Sequence, residues 1–158
     1  MDISGEYRIG APRETVWAAL LDPEMLHRCI PGCKELERTG ENAFSAKVQI
    51  KVGPVSATFT GSVELQDIVA PDSLRIVGQG NGGVAGFAKG EAKVTLAQDG
   101  EDTVLSYVAD AQIGGKLASL GGRLIQSTAR KLADQFFSSF ATALGADASG
   151  LNEAEQSA

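Results

Sequence analysis

The sequence predicts an α+β domain in which a seven-stranded antiparallel sheet curves around a long C-terminal helix. Three observations carry this. Residues 11–30 show helical spacing of apolar residues in two short bursts, Cys33 to Gln112 alternates with period two, and the helical period returns from Gly114 to Gly145. A chain of 158 residues suits one such domain, large enough to bury roughly 70% of its unfolded surface without staples.

Each element follows in order. ISGEYRI places Ile3, Tyr7 and Ile9 around Gly5 as a half-buried first strand. In APRETVWAALLDP, Pro12 suits a first helical turn, and Val16, Trp17, Leu20 and Leu21 form one apolar face. Asp22 as N-cap and Pro23 at the next position start a second short helix, PEMLHRCI, which Pro31 and Gly32 end. Six strands are then expected: CKELERT, AFSAKVQIKV, VSATFTGSVELQDIV, SLRIVGQG, VAGFAKGEAKVTLA and TVLSYVADAQI. Turn-forming residues separate them. In the second of these, Phe44, Ala46, Val48, Ile50 and Val52 share one face, with Lys47, Gln49 and Lys51 on the other. Gly78, Gly80, Gly82, Gly83, Gly86 and Gly90 crowd two neighbouring strands and predict bends or bulges. The long helix is expected over GGKLASLGGRLIQSTARKLADQFFSSFATALG, with Leu117, Leu124, Ile125, Thr128, Leu132, Phe136 and Phe140 on the inner side. Gln126, Ser127, Arg130, Lys131 and Asp134 fall on the outer side. Residues 1–145 form the domain, and the polar tail 146–158 is expected to be disordered.

Composition narrows the function. The 14 Lys and Arg against 20 Asp and Glu leave a net charge of -6, which repels phosphate backbones and anionic lipid heads, so nucleic acid is excluded as a partner. No apolar run reaches the ~20 residues that span a bilayer, and MDISGEYRIG has no basic and apolar export pattern. A cytoplasmic protein with reduced thiols is expected.

HRCIPGCKEL holds the only histidine, His27, and the only two cysteines, Cys29 and Cys33. A structural zinc site needs four ligands, and these three have no further Cys or His to join them. His27 and Cys29, two apart on a helix, point away from each other. The cysteines read as small packed hydrophobes, His27 as a surface or partly buried residue, and no metal is expected. Asp110 falls on the outer face of the last strand, and no acid and base pair is visible. GNGGVAGFAKG joins strand to strand, whereas a phosphate loop must lead into a helix.

The element order is similar to that of the helix-grip (START-like, SRPBCC) fold shared by lipid carriers and polyketide cyclases. VWAALLDPEMLHRCIPGCKELE, VGPVSATFTGSVEL, GFAKGEAKVTL, IGGKLASLGGRLI and FFSSF more specifically resemble the carbon monoxide dehydrogenase G-subunit family over residues 1 to about 145. The resemblance implies a non-catalytic partner of a molybdenum-containing carbon monoxide dehydrogenase or related hydroxylase, working at the cytoplasmic face of the membrane. It maps the family's CIPGC to Cys29 through Cys33, at the mouth of the fold's cavity. A membrane-seeking C-terminal extension, common in the family, has no counterpart in GADASGLNEAEQSA, which leaves at most a transient membrane contact.

A helix gripped by a curved sheet leaves an apolar gap where small residues replace large ones. The expected lining is Leu26 and Ile30 from the second helix, Phe59, Gly61, Phe87 and Tyr107 from the sheet, and Leu117, Gly121, Leu124, Thr128 and Leu132 from the C-terminal helix. An isoprenoid quinone is the expected ligand, linking the hydroxylase to membrane electron transport, with the ring near the Thr128 and Tyr107 hydroxyls. Two other readings stand beside it. One is an assembly adaptor with a solid core and no ligand. The other is a small cyclase or hydrolase using Tyr107, Thr128 or a carboxylate.

Overall fold

The computed structural model describes residues 2–145 together with the backbone of 148–150. Its order is β1 (Asp2–Ile9), α1 (Arg13–Leu20), α2 (Pro23–Cys29), β2 (Cys33–Gly40), β3 (Ala43–Val52), β4 (Val55–Val69), β5 (Ser73–Asn81), β6 (Phe87–Asp99), β7 (Asp102–Gly114), α3 (Gly122–Ala143) and β8 (Ala148–Gly150). The sheet is antiparallel throughout, in the order β2-β3-β4-β5-β6-β7-β1-β8. Seven strands form the expected curved sheet. The three-residue β8 adds at its edge against Tyr7 to Ile9, correcting the expectation that the whole tail lacks structure. The expectation for 146–147 and 151–158 lies outside the described residues.

Local sequence explains most boundaries. The Asp22 side chain accepts a hydrogen bond from the Glu24 N–H at 3.0 Å, and Pro23 opens α2, as its type and position require. α1 is held by its buried face of Val16, Trp17 and Ala19. Its approach is pinned by the fully buried Thr103, whose hydroxyl donates to the Ala11 carbonyl at 2.7 Å.

Two expected elements break. Gly83–Ala85 forms a short 3-10 turn instead of the start of β6, because Gly83 (φ 64°) and Gly86 (φ 115°) occupy backbone regions that end a strand. Gly115–Leu120 is likewise a 3-10 segment, and Gly121 (φ 91°) separates it from α3. Leu117 therefore reaches the interior from the connector rather than from the long helix. The glycines of β5 and β6 also depart from expectation. Gly78, Gly80 and Gly90 sit in unbroken register, while the irregular pairings fall in β2 and between Gln66 and Val69 of β4.

The apolar interior is divided in two. One cluster joins Ile9, Val16, Trp17, Cys29, Leu74, Leu96, Leu105 and Phe140. The other joins Val52, Phe59, Ala85 and Leu117, with Leu120 and Leu124 packed on it. α3 runs from the second cluster at Leu124 to the first at Phe140, roughly 24 Å apart along its axis at ~1.5 Å per residue.

Candidate functional site

Reading inward-facing residues along each element shows why the core is split. On β4 the order is Phe59, then Gly61 and Val63, then Leu65. On α3 it is Leu124, then Thr128, Ala129 and Leu132, then Phe136. Large residues mark both ends, and smaller ones fill much of the middle. Across the sheet the pairing aligns these small residues in a row, Ala46 to Gly61 to Gly80 to Ala88, ending at Ile113. The next row contains Gly78, Gly90 and Ala111. Side chains this short do not reach the helix, and a cavity of about 390 Å³ remains between sheet and α3.

Its wall is almost wholly apolar. Ile30, Ala46, Val48, Ile50, Val52, Phe59, Val63, Ile113, Leu117, Ile125, Ala129 and Leu132 contribute side chains around the glycine floor. Ser62 and Gln79 border it as strand backbone with their exposed side chains on the outer face, which leaves Thr128 as the polar side chain facing in. The Thr128 hydroxyl donates to its own helix at the Leu124 carbonyl, 2.9 Å away, so its donor is already satisfied. No carboxylate, histidine or tyrosine lines this space among the described residues. A larger depression of about 580 Å³ lies on the outer face, edged by Glu64, Lys89, Glu91, Asp110 and Gln112. Its charged rim disfavours an apolar ligand, which makes the inner cavity the candidate site.

Six of the expected residues meet there: Ile30, Phe59, Gly61, Leu117, Thr128 and Leu132. Five do not. Leu124 packs into the cluster beneath the β3–β4 turn, beside Gly53. Gly121 is exposed, its positive φ serving to break the connector from α3. Phe87 is 45% exposed with its ring against Gly114. Leu26 is half-buried on α2, one turn before Ile30, and only Ile30 reaches the lining.

Tyr107 is drawn the other way, into an aromatic stack with Tyr7 and Phe137 under the C-terminal half of α3. There the Tyr7 hydroxyl donates to Asp134 at 2.5 Å. Asp134 is therefore half-buried and bonded inward, contrary to its expected place on the wet face. Burial pushes the Tyr107 phenol above its ordinary value. Arg130 and a hydrogen bond with Tyr7 oppose that rise, and Asp134 adds to it.

The CIPGC stretch has a structural role at each position that contacts the rest of the fold. Cys29 is 2% exposed in the first cluster, Ile30 turns into the cavity, and Cys33 begins β2 with its thiol against the Glu35 carbonyl. Cys33 is only half-buried, less than expected, and His27 is exposed. Gly32 (φ 76°) is pressed onto β3: the Gln49 N–H donates to its carbonyl at 2.9 Å, and a Cβ there would collide with the Gln49 carbonyl oxygen. Only glycine fits such an approach. The motif fastens α2 to the sheet and aims Ile30 at the ligand space.

A long helix held in a curved antiparallel sheet over an apolar cavity is the START-like fold, and solved structures share this architecture. A conserved protein from Geobacillus kaustophilus is 32% identical, with a TM-score of 0.86 over 94% of this chain and 99% of its own. A START superfamily protein from Mycobacterium smegmatis (15%, TM-score 0.68, 89% and 94%) and the Zhui aromatase/cyclase from Streptomyces sp. R1128 (13%, TM-score 0.64, 90% and 92%) share the fold. No curated protein matches by sequence. Residues 5–145 match the family model of the carbon monoxide dehydrogenase G-subunit (CoxG), and the chain belongs to that family.

Proposed function

We propose that this protein is a non-catalytic accessory of a molybdenum-containing carbon monoxide dehydrogenase-type enzyme. It binds an apolar ligand, an isoprenoid quinone, and links that enzyme to membrane electron transport at the inner face of the membrane. The observation that carries the reading is the cavity between two separate core clusters, apolar over nearly all its wall. Family membership supports the accessory role. The absence of carboxylate, histidine and tyrosine from the described lining favours holding a molecule over transforming it.

At about 390 Å³ the space falls in the lower part of the range that encloses a drug-sized ligand. It suits a quinone ring with its first prenyl units, and a longer tail would have to leave through the wall. Ser62 and Gln79 pair on the outer face of the sheet and Thr128 is committed to Leu124, so the ring would be held by shape and apolar contact.

Native mass spectrometry of the purified protein, followed by organic extraction, tests this. A retained apolar mass identified as a prenylated quinone is expected. Protein that retains nothing and fails to bind added short-chain quinone would transfer the role to a ligand-free assembly adaptor.

A further inference from the structure

A quinone and its quinol have nearly the same outline and differ at the ring oxygens. The oxidised form carries two carbonyls, which only accept hydrogen bonds. The reduced form, with two more electrons and two more protons, carries two hydroxyls, which donate as well as accept. A wall without hydrogen-bond partners penalises the two forms unequally. A carbonyl conjugated to an electron-poor ring is a weak acceptor that gives up little hydration, whereas a hydroxyl buried without a partner loses a donor and an acceptor together.

The cavity presents such a wall. Its floor of Ala46, Gly61, Gly80 and Ala88 lies in continuous ladder register, so those N–H and C=O groups pair with neighbouring strands. Ile125, Thr128, Ala129 and Leu132 sit within α3, where the helix takes up the backbone groups. The Ile30 N–H donates to the Leu26 carbonyl at 2.9 Å, and the Ile30 carbonyl accepts from the Cys33 N–H at 3.2 Å. Both tyrosines belong to the other cluster, and the Ser62 and Gln79 side chains are on the outer face. What remains is the Thr128 hydroxyl. Its proton goes to the Leu124 carbonyl, 2.9 Å away, so its oxygen can accept from one quinol hydroxyl and has no proton for a quinone carbonyl. The second quinol hydroxyl lies across the ring from the first and stays without a partner.

From this we infer that the cavity sorts its ligand by redox state, holding the oxidised quinone and disfavouring the quinol, with Thr128 limiting the size of that preference. Selection arises from desolvation, since shape barely separates the two forms. The inference rests on the quinone-carrier reading and gives it a direction: a ring that has been reduced loses affinity for this protein.

Anaerobic calorimetric titration of the full chain with a benzoquinone bearing one prenyl unit, and separately with its electrochemically reduced quinol, tests it. The quinone is expected to bind at least about ten-fold more tightly. Voltammetry of the same couple should show the bound form shifted to lower potential by about 30 mV for each ten-fold of preference, because tighter binding of the oxidised form makes it harder to reduce. Thr128→Val removes the acceptor at nearly constant volume and should widen the preference. Val48→Thr adds a hydroxyl to the wall from β3 and should narrow it. Equal or tighter binding of the quinol overturns the inference and leaves the carrier reading standing. A preference that neither variant moves also overturns it, since the ring oxygens would then lie outside this wall. If neither form binds, the carrier reading and this inference fall together.

Discussion

Gly80 offers the most direct test of the cavity. It sits mid-strand in β5 on the cavity floor, paired with Gly61 on one side and Ala88 on the other. A Cβ there would find its nearest neighbours 3.9 Å away, at Phe59 and the Thr60 carbonyl, which is ordinary contact. Gly80→Leu therefore places a whole aliphatic side chain in empty apolar space. Burying it contributes about 1.5–3 kcal/mol, and replacing a strand glycine adds about 0.5–1 kcal/mol. Fixing the rotamer costs about 0.5–1 kcal/mol, so the net stabilisation should be about 1–3 kcal/mol. In a domain of this size that raises the melting temperature by about 2–4 °C per kcal/mol. Urea unfolding should show a higher midpoint at unchanged slope. The same side chain occupies ligand volume, so titration with a short-chain quinone should show at least ten-fold weaker binding, about 1.4 kcal/mol. Its neighbour provides the contrast: a Cβ on Gly61 would lie 2.6 Å from the Gln79 carbonyl oxygen, so Gly61→Ala should destabilise although it is the smaller change. If Gly80→Leu instead costs more than about 1 kcal/mol, the space is already filled and the reasoning from split core to binding site fails.

Other expectations can be checked by the same assays. Thr128→Trp, from the helix side of the cavity, should leave unfolding cooperative and weaken quinone binding at least ten-fold, whereas loss of about 1–3 kcal/mol without any wild-type ligand binding would indicate a solid core. Gly32→Ala forces both a positive φ and a clash with the Gln49 carbonyl; it should cost upwards of about 1–3 kcal/mol by denaturant unfolding, and a variant as stable as wild type would contradict the fastening role of CIPGC. Tyr7→Phe leaves the half-buried Asp134 without this donor and should cost about 1–3 kcal/mol by denaturant unfolding; unchanged stability would refute a structural role for the bond. Burial raises the Cys29 thiol, so the unfolded chain ionises first, near pH 8.5; stability should hold below that and fall as the pH climbs towards the folded value, less steeply in Cys29→Ala.

Much of this protein was legible in the order of its residues. Period-two and period-3.6 patterns depend on side-chain direction along a single strand or helix, so β3 and β4 emerge at the residues read from alternation, and Asp22 with Pro23 sets the start of α2. Positive-φ glycines were harder to read. Gly86 and Gly121 turn the flanking residues into 3-10 segments through backbone contacts with distant residues or tight local turns, and a glycine in sequence does not announce its φ.

The site itself was decided by tertiary structure. Ile30, Phe59, Gly61, Leu117, Thr128 and Leu132 could be chosen from facing and size, but Gly80, Ala88 and Ala46 could not. Their smallness makes a cavity only because strand register stacks them in one row, and register depends on which strands pair and by how much they slide. Tyr107 and Asp134 show the same limit. Each lies where its own periodicity allows, yet a stacking partner on β1 and a hydrogen-bond donor more than a hundred residues away, Tyr7 in both cases, draw them together away from the ligand space. Local sequence sets which way a side chain faces, and long-range packing decides what it meets there.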